Sequence, residues 1–388
     1  MKNKEEKLAT LRKFIIELSK NKVDFEFKLE PKIIETLLFK LSDDKEYYVI
    51  DKDLFKAFKE LNMNFKGVSF NNVDISKLDF TKLRGVSINP QEVYDRNLEE
   101  CVFTGITFTG PFDDVLISDA DFSESINAKI NPQTIRENDL SYTILRDVEF
   151  IGPFDDAFIV GADFTDSINA EIDPQTILDN DLSACVFDGV TFIGSFENTT
   201  IRVADFTNSS GAVIDPEMLL DKDMSYCVLC DAYIDGDFDD VKIYRANFMG
   251  AKGEIEIDPE KVTDKDMSYC VFEGVTFTGP FDDSIIVGAN FKKSKNAYIN
   301  PQYINDKMLG YCTFSDVTFI GPFDDCTITN SNFTNSKGAV ININTINGGI
   351  GENGNLTNAT LTGKVYRIDE DFGKSKWNIC YYYLMKEY

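Results

Sequence analysis

Large apolar residues in the middle of this chain recur every five positions, a spacing that neither the ~3.6-residue period of a helix nor the two-residue period of a strand can produce. Phe65, Phe70, Ile75 and Phe80 open the series. Leu98, Phe103, Phe108, Phe112, Ile117, Phe122, Ile130 and Ile135 follow, and Leu140 begins again, with steps of 5, 5, 4, 5, 5, 8, 5 and 5. A period of five needs a corner after every short extended piece. One shortened and one lengthened step make the unit 42 residues long.

That unit repeats. Gly-Pro-Phe-Asp-Asp starts at Gly110, Gly152, Gly279 and Gly321, with degenerate copies at Gly194 and Gly236. Its phenylalanines, Phe112, Phe154, Phe196, Phe238, Phe281 and Phe323, lie 42 or 43 residues apart. A second row (Phe122, Phe164, Phe206, Phe248, Phe291, Phe333) and a proline row (Pro90, Pro132, Pro174, Pro216, Pro259, Pro301) keep the same intervals. Repeats of this length mean a solenoid or an array. The residue two before a large one is often small, as in Ala120-Asp121-Phe122, Ala162-Asp163-Phe164 and Ala246-Asn247-Phe248. In an extended piece, residues two apart share a face, so Ala and Phe point inward and the Asp or Asn between them points out.

This Ala-(Asp/Asn)-(Leu/Phe)-x-x pattern resembles the pentapeptide-repeat family. The resemblance covers residues 61–363 and implies an all-β solenoid, a right-handed quadrilateral β-helix with four five-residue faces per coil. Each 42-residue unit is then two coils. About 14 coils at the ~4.8 Å strand spacing make a rod ~67 Å long, with ladders of like residues inside. The longer step is expected at a corner insertion, Asn131-Pro132-Gln133-Thr134-Ile135 and its counterparts. There an Asx N-cap followed by Pro allows either a single helical turn or a β corner.

Two neutral ends flank the repeats. Residues 1–60 hold 14 basic and 13 acidic side chains, and 364–388 hold 5 and 4. The repeats, 61–363, hold 20 and 49, so the whole formal charge of −27 belongs to them. Residues 1–60 are expected to form an α-rich cap over the open coil end. An amphipathic helix around Leu8, Leu11, Phe14, Ile15 and Leu18 is followed by a strand-like Val23-Phe25-Phe27-Leu29 and by helices near Ile33–Leu41 and Leu54–Leu61. Residues 364–388 gather Trp377 and three consecutive tyrosines, and read equally as a second cap or as a homodimer seam.

Composition excludes much chemistry. With no histidine in the chain, Ser-His-Asp and Cys-His nucleophiles and His-ligated zinc are out. The acidity argues against nucleic acid or anionic lipid as a direct partner. No stretch approaches the ~20 apolar residues of a membrane span, and no early stretch reads as a signal peptide. The cysteines show no secreted framework, so a cytoplasmic protein with reduced thiols is expected. Cys101, Cys185, Cys227, Cys270 and Cys312 fall on one inward ladder, rungs ~9.6 Å apart, too far for disulfides. The Cys227-Val228-Leu229-Cys230 pair has no second pair or histidine to complete a metal site.

The Asp pairs are the remaining candidates. Asp113-Asp114, Asp155-Asp156, Asp239-Asp240, Asp282-Asp283 and Asp324-Asp325 recur with the unit, and Glu197 fills the missing rung. Asp121, Asp163 and Asp205 form a second row, continued by Asn247, Asn290 and Asn332. A calcium-binding β-solenoid is one alternative, but the Gly-Gly-x-Gly-x-Asp signature is missing. A glycosidase pair would break the repeat, whereas these carboxylates obey it. Rows of like charge repel, so they serve either plain solubility or a basic partner. Several members of the family that this chain resembles are acidic dimeric rods that mimic duplex DNA on DNA gyrase or topoisomerase IV. The reading is a non-enzymatic protein, without cofactor or metal, that presents a long acidic face to a basic protein surface. A DNA-binding enzyme such as a type II topoisomerase is the sharpest partner, and a general interaction scaffold is the alternative.

Overall fold

The computed structural model describes residues 2–21 and 28–363. Along the repeats, each inward Phe or Leu sits on its counterpart one coil away. Parallel bridges Val102↔Asp121↔Ile144↔Asp163 step alternately by 19 and 23 residues, so a 42-residue unit is one short and one long coil. The strands are only two or three residues long, as in Ser87–Ile88 on Thr107–Phe108, and turns make the corners between them. Neighbouring coils are tied by backbone bonds such as Phe103 N–H to Asp121 O at 2.7 Å and Asp121 N–H to Cys101 O at 2.8 Å. One buried row starts Phe80, Phe103, Phe122, Leu145 and ends at Leu356, about 14 turns of a β-helix. Its rings meet along the axis: centroids lie 5.3 Å apart for Phe103–Phe122 and 5.4 Å for Phe187–Phe206. Ala120, Ala162 and Ala204 are buried beside them, the small inward partners.

The unequal coils have local causes. In the short coil the chain turns at Gly110, where a Cβ would collide with Asn89 Oδ1 from the coil below. Gly152, Gly194, Gly236, Gly279 and Gly321 stand in the same way against the Asn or Asp of each Asx-Pro corner. Glycine is therefore set by its neighbour coil. The long coil carries its three extra residues between Phe122 and Ile130, ahead of the Asn-Pro segment where the sequence places them. Ile126 bridges Thr107 below while Lys129 pairs with Glu149 above, so residues 126–128 form a bulge. Asn127 at its tip is left-handed (φ 61°), and Asn169, Gly211, Gly253, Asn296 and Gly338 hold the same place and conformation. Only residues that tolerate positive φ fit. The Asn131-Pro132 segment is an ordinary face closed by a capped turn: Asn131 Oδ1 accepts Gln133 N–H at 3.1 Å, and Asn131 O accepts Thr134 N–H at 3.0 Å. It tightens to a 3₁₀ turn at Pro216–Met218, capped by Asp215.

Ahead of the repeats come α1 (Lys2–Lys20), α2 (Pro31–Leu38), β1 (Phe39–Leu41), β2 (Tyr48–Ile50) and α3 (Lys52–Glu60). Pro31 opens α2, and Asp51 caps α3 by accepting Leu54 N–H. The helix expected to run to Leu41 stops at Leu38, because Phe39–Leu41 pairs antiparallel with β2. β2 in turn pairs parallel with β3 (Val73–Asp74), giving the first coil a partner on its open side. Phe55 and Phe58 of α3 pack on Phe80 and Phe65. Of the strand expected at Val23–Leu29, residues 23–27 lie outside the described residues and Leu29 is not in a strand; the terminal segment 364–388 also lies outside them. Among the described residues no helix is long and apolar enough to cross a membrane.

Candidate partner-binding surface

The inward residues Leu98, Ile117, Leu140 and Ile159 define one side of the rod, termed face A. Its outward centre reads Asn97, Leu116, Asp139, Phe158, Asp181, Thr200 and Asp223 along the axis. The Asp pairs lie where the chain turns onto this face. Their second members, Asp114, Asp156, Asn198, Asp240, Asp283 and Asp325, are all left-handed, with φ between 55° and 62°. Asp and Asn are the side chains that best accept that conformation, so the turn alone accounts for this column. The first members have ordinary backbone and are nevertheless acidic in every unit: Asp113, Asp155, Glu197, Asp239, Asp282 and Asp324.

The intervening coils add acids to the same edge that the sequence reading did not single out. Asp95, Glu137, Asp179, Asp221, Asp264 and Asp306 are all exposed. Arg136 joins the two sets, with Nη1 at 3.1 Å from Asp95 and Nε at 3.1 Å from Asp114, while Arg96 lies 2.7 Å from Asp114. The Arg136 guanidinium holds the Asp114 carboxyl below its ordinary range, against a smaller upward push from burial. Lys261 similarly meets Asp239 at 3.0 Å. Recurrence at 42 residues was the available signal for this row. The Arg and Lys beside it masked the sign of the edge.

Face A carries a third set in its centre. Asp139, Asp181, Asp223 and Asp266 each accept the N–H of the serine two residues on, at 2.8 to 3.0 Å, and the second oxygen of Asp223 lies 3.9 Å from Arg202 Nε. Asp121, Asp163 and Asp205 lie elsewhere, on the centre of the next face beyond the opposite edge. They alternate with Val102, Ile144 and Val186 and are half-buried. Each closes a turn by accepting an N–H two residues on at 2.9 Å, and Asn247, Asn290 and Asn332 make the same bond without charge. The two acidic rows read from the sequence are therefore on different sides of the rod.

Charge also varies along the axis. Residues 98–266, eight coils, hold 37 acidic and 10 basic side chains, whereas 267–351 hold 7 and 5. Eight coils span ~38 Å at the strand spacing. The acidic stretch thus carries one net charge per ~1.4 Å, against ~1.7 Å for B-DNA.

The cysteine ladder is interior. Cys101, Cys185, Cys227, Cys270 and Cys312 are buried and donate Sγ–H to the carbonyls of Ile75, Ile159, Ile201, Ile243 and Ile286 at 2.8 to 3.0 Å. Thr143 takes the same place, donating to Ile117 O at 3.1 Å. Burial pushes the thiols of Cys101, Cys185, Cys227 and Cys312 up to about 12, and that of Cys270 up as well. Cys230 is half-buried, 3.7 Å from Asp231 Oδ2, and does not join Cys227 in a site. Among the described residues no group of three or more Cys, Asp or Glu is placed to hold a metal ion.

No protein-family model matches the sequence, and no curated protein matches it. Solved structures do. HetL, a pentapeptide-repeat protein involved in heterocyst differentiation regulation in the cyanobacterium Nostoc sp. strain PCC 7120, is 14% identical over 66% of this chain and 89% of its own, with a TM-score of 0.16. QnrB1, a plasmid-mediated fluoroquinolone resistance protein, is 12% identical at full length over 74% of this chain and 92% of its own, with a TM-score of 0.12. A trypsin-treated form of QnrB1 gives 14%, 62%, 90% and 0.14. Superpositions this loose carry no argument. The coil ladder itself establishes the fold, a β-helix of the pentapeptide-repeat kind.

Proposed function

We propose that this protein is a non-enzymatic binding module whose working surface is the acidic stretch of residues 98–266, face A included, offered to a basic protein surface. One observation carries the reading: the fold repeats unchanged along the rod while the acidity does not. If carboxylates served only to close turns, asparagine would do, as it does at Asn198, Asn247 and Asn290. If they served only solubility, they would spread over all coils. Instead they reach the charge density of duplex DNA over a length close to one DNA turn. That match favours a partner whose own site binds DNA, with a type II topoisomerase as the first to test.

The test is a supercoiling assay with added protein. Inhibition that is relieved by raising salt, together with competition against duplex DNA for the enzyme, is the expected result. Absence of both inhibition and salt-sensitive binding sinks the topoisomerase version. Salt-sensitive binding without competition against DNA would leave an acidic scaffold.

A further inference from the structure

Four isoleucines are left exposed on the side of the rod opposite face A. Two corners on from face A, the outward centre runs Thr107, Ile126, Glu149, Ile168, Thr191 and Ser210. Ile151 and Ile193 lie two residues beyond Glu149 and Thr191, and so share that outward side. Ile126, Ile151, Ile168 and Ile193 are each between 51% and 65% exposed. The coil does not require them. With the same backbone bonds, the Ile151 row holds Thr109, Asp235 and Thr278, and the Ile126 row holds Ser210, Lys252, Lys295 and Lys337. Polar residues therefore fit both rows, and a contiguous apolar strip kept in their place marks a surface that something covers.

Spacing and sign identify the occupant. The two rows interleave, so the four isoleucines follow one another by one coil along the axis, at 0, ~4.8, ~9.6 and ~14.4 Å. An α-helix lying along the rod presents positions i, i+3, i+7 and i+10 at 0, ~4.5, ~10.5 and ~15 Å. A strand, at ~6.8 Å for every second residue, is out of step by its second contact. Glu124, Asp147 and Asp166, left-handed and exposed, line the edge beside the strip, and exposed Glu171 stands within it. The basic side chains nearby are already engaged, Lys129 with Glu149 at 2.6 Å and Arg146 with Asp163 at 3.1 Å. A shorter zigzag, Tyr298, Ile320 and Val340, recurs farther along the same side. There Lys295 and Lys337 take the places of Ile126 and Ile168, so a basic segment is not drawn to it.

We propose that the isoleucine strip seats an amphipathic helix of the basic partner. The apolar stripe of that helix lies on Ile126, Ile151, Ile168 and Ile193, and its lysines or arginines reach the edge of Glu124, Asp147 and Asp166. The proposal rests on the acidic-stretch reading for the sign of the partner, and adds the form of the segment that the partner brings.

The experiment uses the full chain and two fluorescent peptides of one composition at low salt. One is three heptads of Leu-Lys-Ala-Leu-Lys-Ala-Lys, and the other is a scramble that breaks the heptad. The heptad peptide should bind about tenfold more tightly, from partial burial of several apolar side chains. Ile151→Thr/Ile193→Thr, which copies the residue already present at Thr109 and Thr278, should remove most of that preference. Its melting and its salt-sensitive binding of the scramble should be unchanged. Ile151→Thr alone serves if the pair fails to fold, and Ile320→Thr should alter neither peptide's binding. Equal binding of the two peptides, or a preference that survives the strip variant or falls equally with Ile320→Thr, overturns the helix proposal alone. Wild type that sediments as a dimer while the strip variant is a monomer gives the strip to a second copy and also overturns it. Binding of neither peptide overturns it together with the acidic-stretch reading.

Discussion

Residues 98–266 and 267–351 are two stretches of one rod with coil lengths that agree to within one residue, the same Phe ladder and the same Asx turns. Phe187–Phe206 and Phe314–Phe333 stack at 5.4 and 5.1 Å in the two stretches. Their surfaces differ sharply, with a net charge of −27 in the first and −2 in the second. Interior and exterior are thus decided separately. The coil constrains which residues point inward and which must tolerate positive φ, and leaves the remaining outward positions to other demands. Lys292, Lys293 and Lys295 show that basic side chains are compatible with the same corners.

The comparison breaks at its base if the interiors are unequal. Phe187→Ala and Phe314→Ala should each cost about 3–5 kcal/mol, with similar losses in urea unfolding, since both remove a fully buried ring. A loss confined to one stretch would show that the repeats are not equivalent inside. The exterior contrast comes next. Replacing Asp155, Asp156 and Glu197 by their amides should weaken binding of a basic partner about tenfold at low salt, the sum of several exposed charge contacts. The same treatment of Asp282, Asp283 and Asp324 should change it less than about twofold. Equal losses would place the surface along the whole rod.

A gentler probe uses salt alone. Like charges on residues 98–266 repel, so raising ionic strength through the screening range should increase amide protection there and leave 267–351 nearly unchanged by hydrogen exchange. The smallest effect is internal again. Ser125, Ser294 and their counterparts bury a hydroxyl without a hydrogen-bond partner, and Ala251 holds the same place in the series. Ser125→Ala and Ser294→Ala should each be neutral or stabilising by up to about 1 kcal/mol in thermal unfolding.

How much of this was legible depends on whether a residue's role is periodic. Ala120 and Phe122 announce their inward places because the repeat restates them. The bulge was harder. The eight-residue step from Phe122 to Ile130 is visible, but the conspicuous Asn131-Pro132 draws the insertion to itself, and only the pairing of Ile126 below and Lys129 above moves it. The end of α2 was hidden for a similar reason, since Phe39–Leu41 continues an apolar helical pattern and is turned into strand by β2. Of the candidate site, the Asp pairs were readable as a row. The acids at Asp95, Glu137 and Asp179 were not, because they sit beside Arg96, Asn138 and Asn180 and form no motif.

The sequence by itself determined the coil: period five, small and large residues two apart, a unit of two coils, and the confinement of charge to the repeats. These are one-dimensional regularities, and a solenoid translates them directly into stacking. What only the tertiary structure decided is angular. Asp113 and Asp121 are eight residues apart and both acidic, yet two corners place them on different sides of the rod. Asp95 and Asp114 are farther apart in sequence and meet at one arginine. Corners of four, five and eight residues rotate the chain by amounts that no count of residues reveals, so which charges face the same partner is settled by the folded coils.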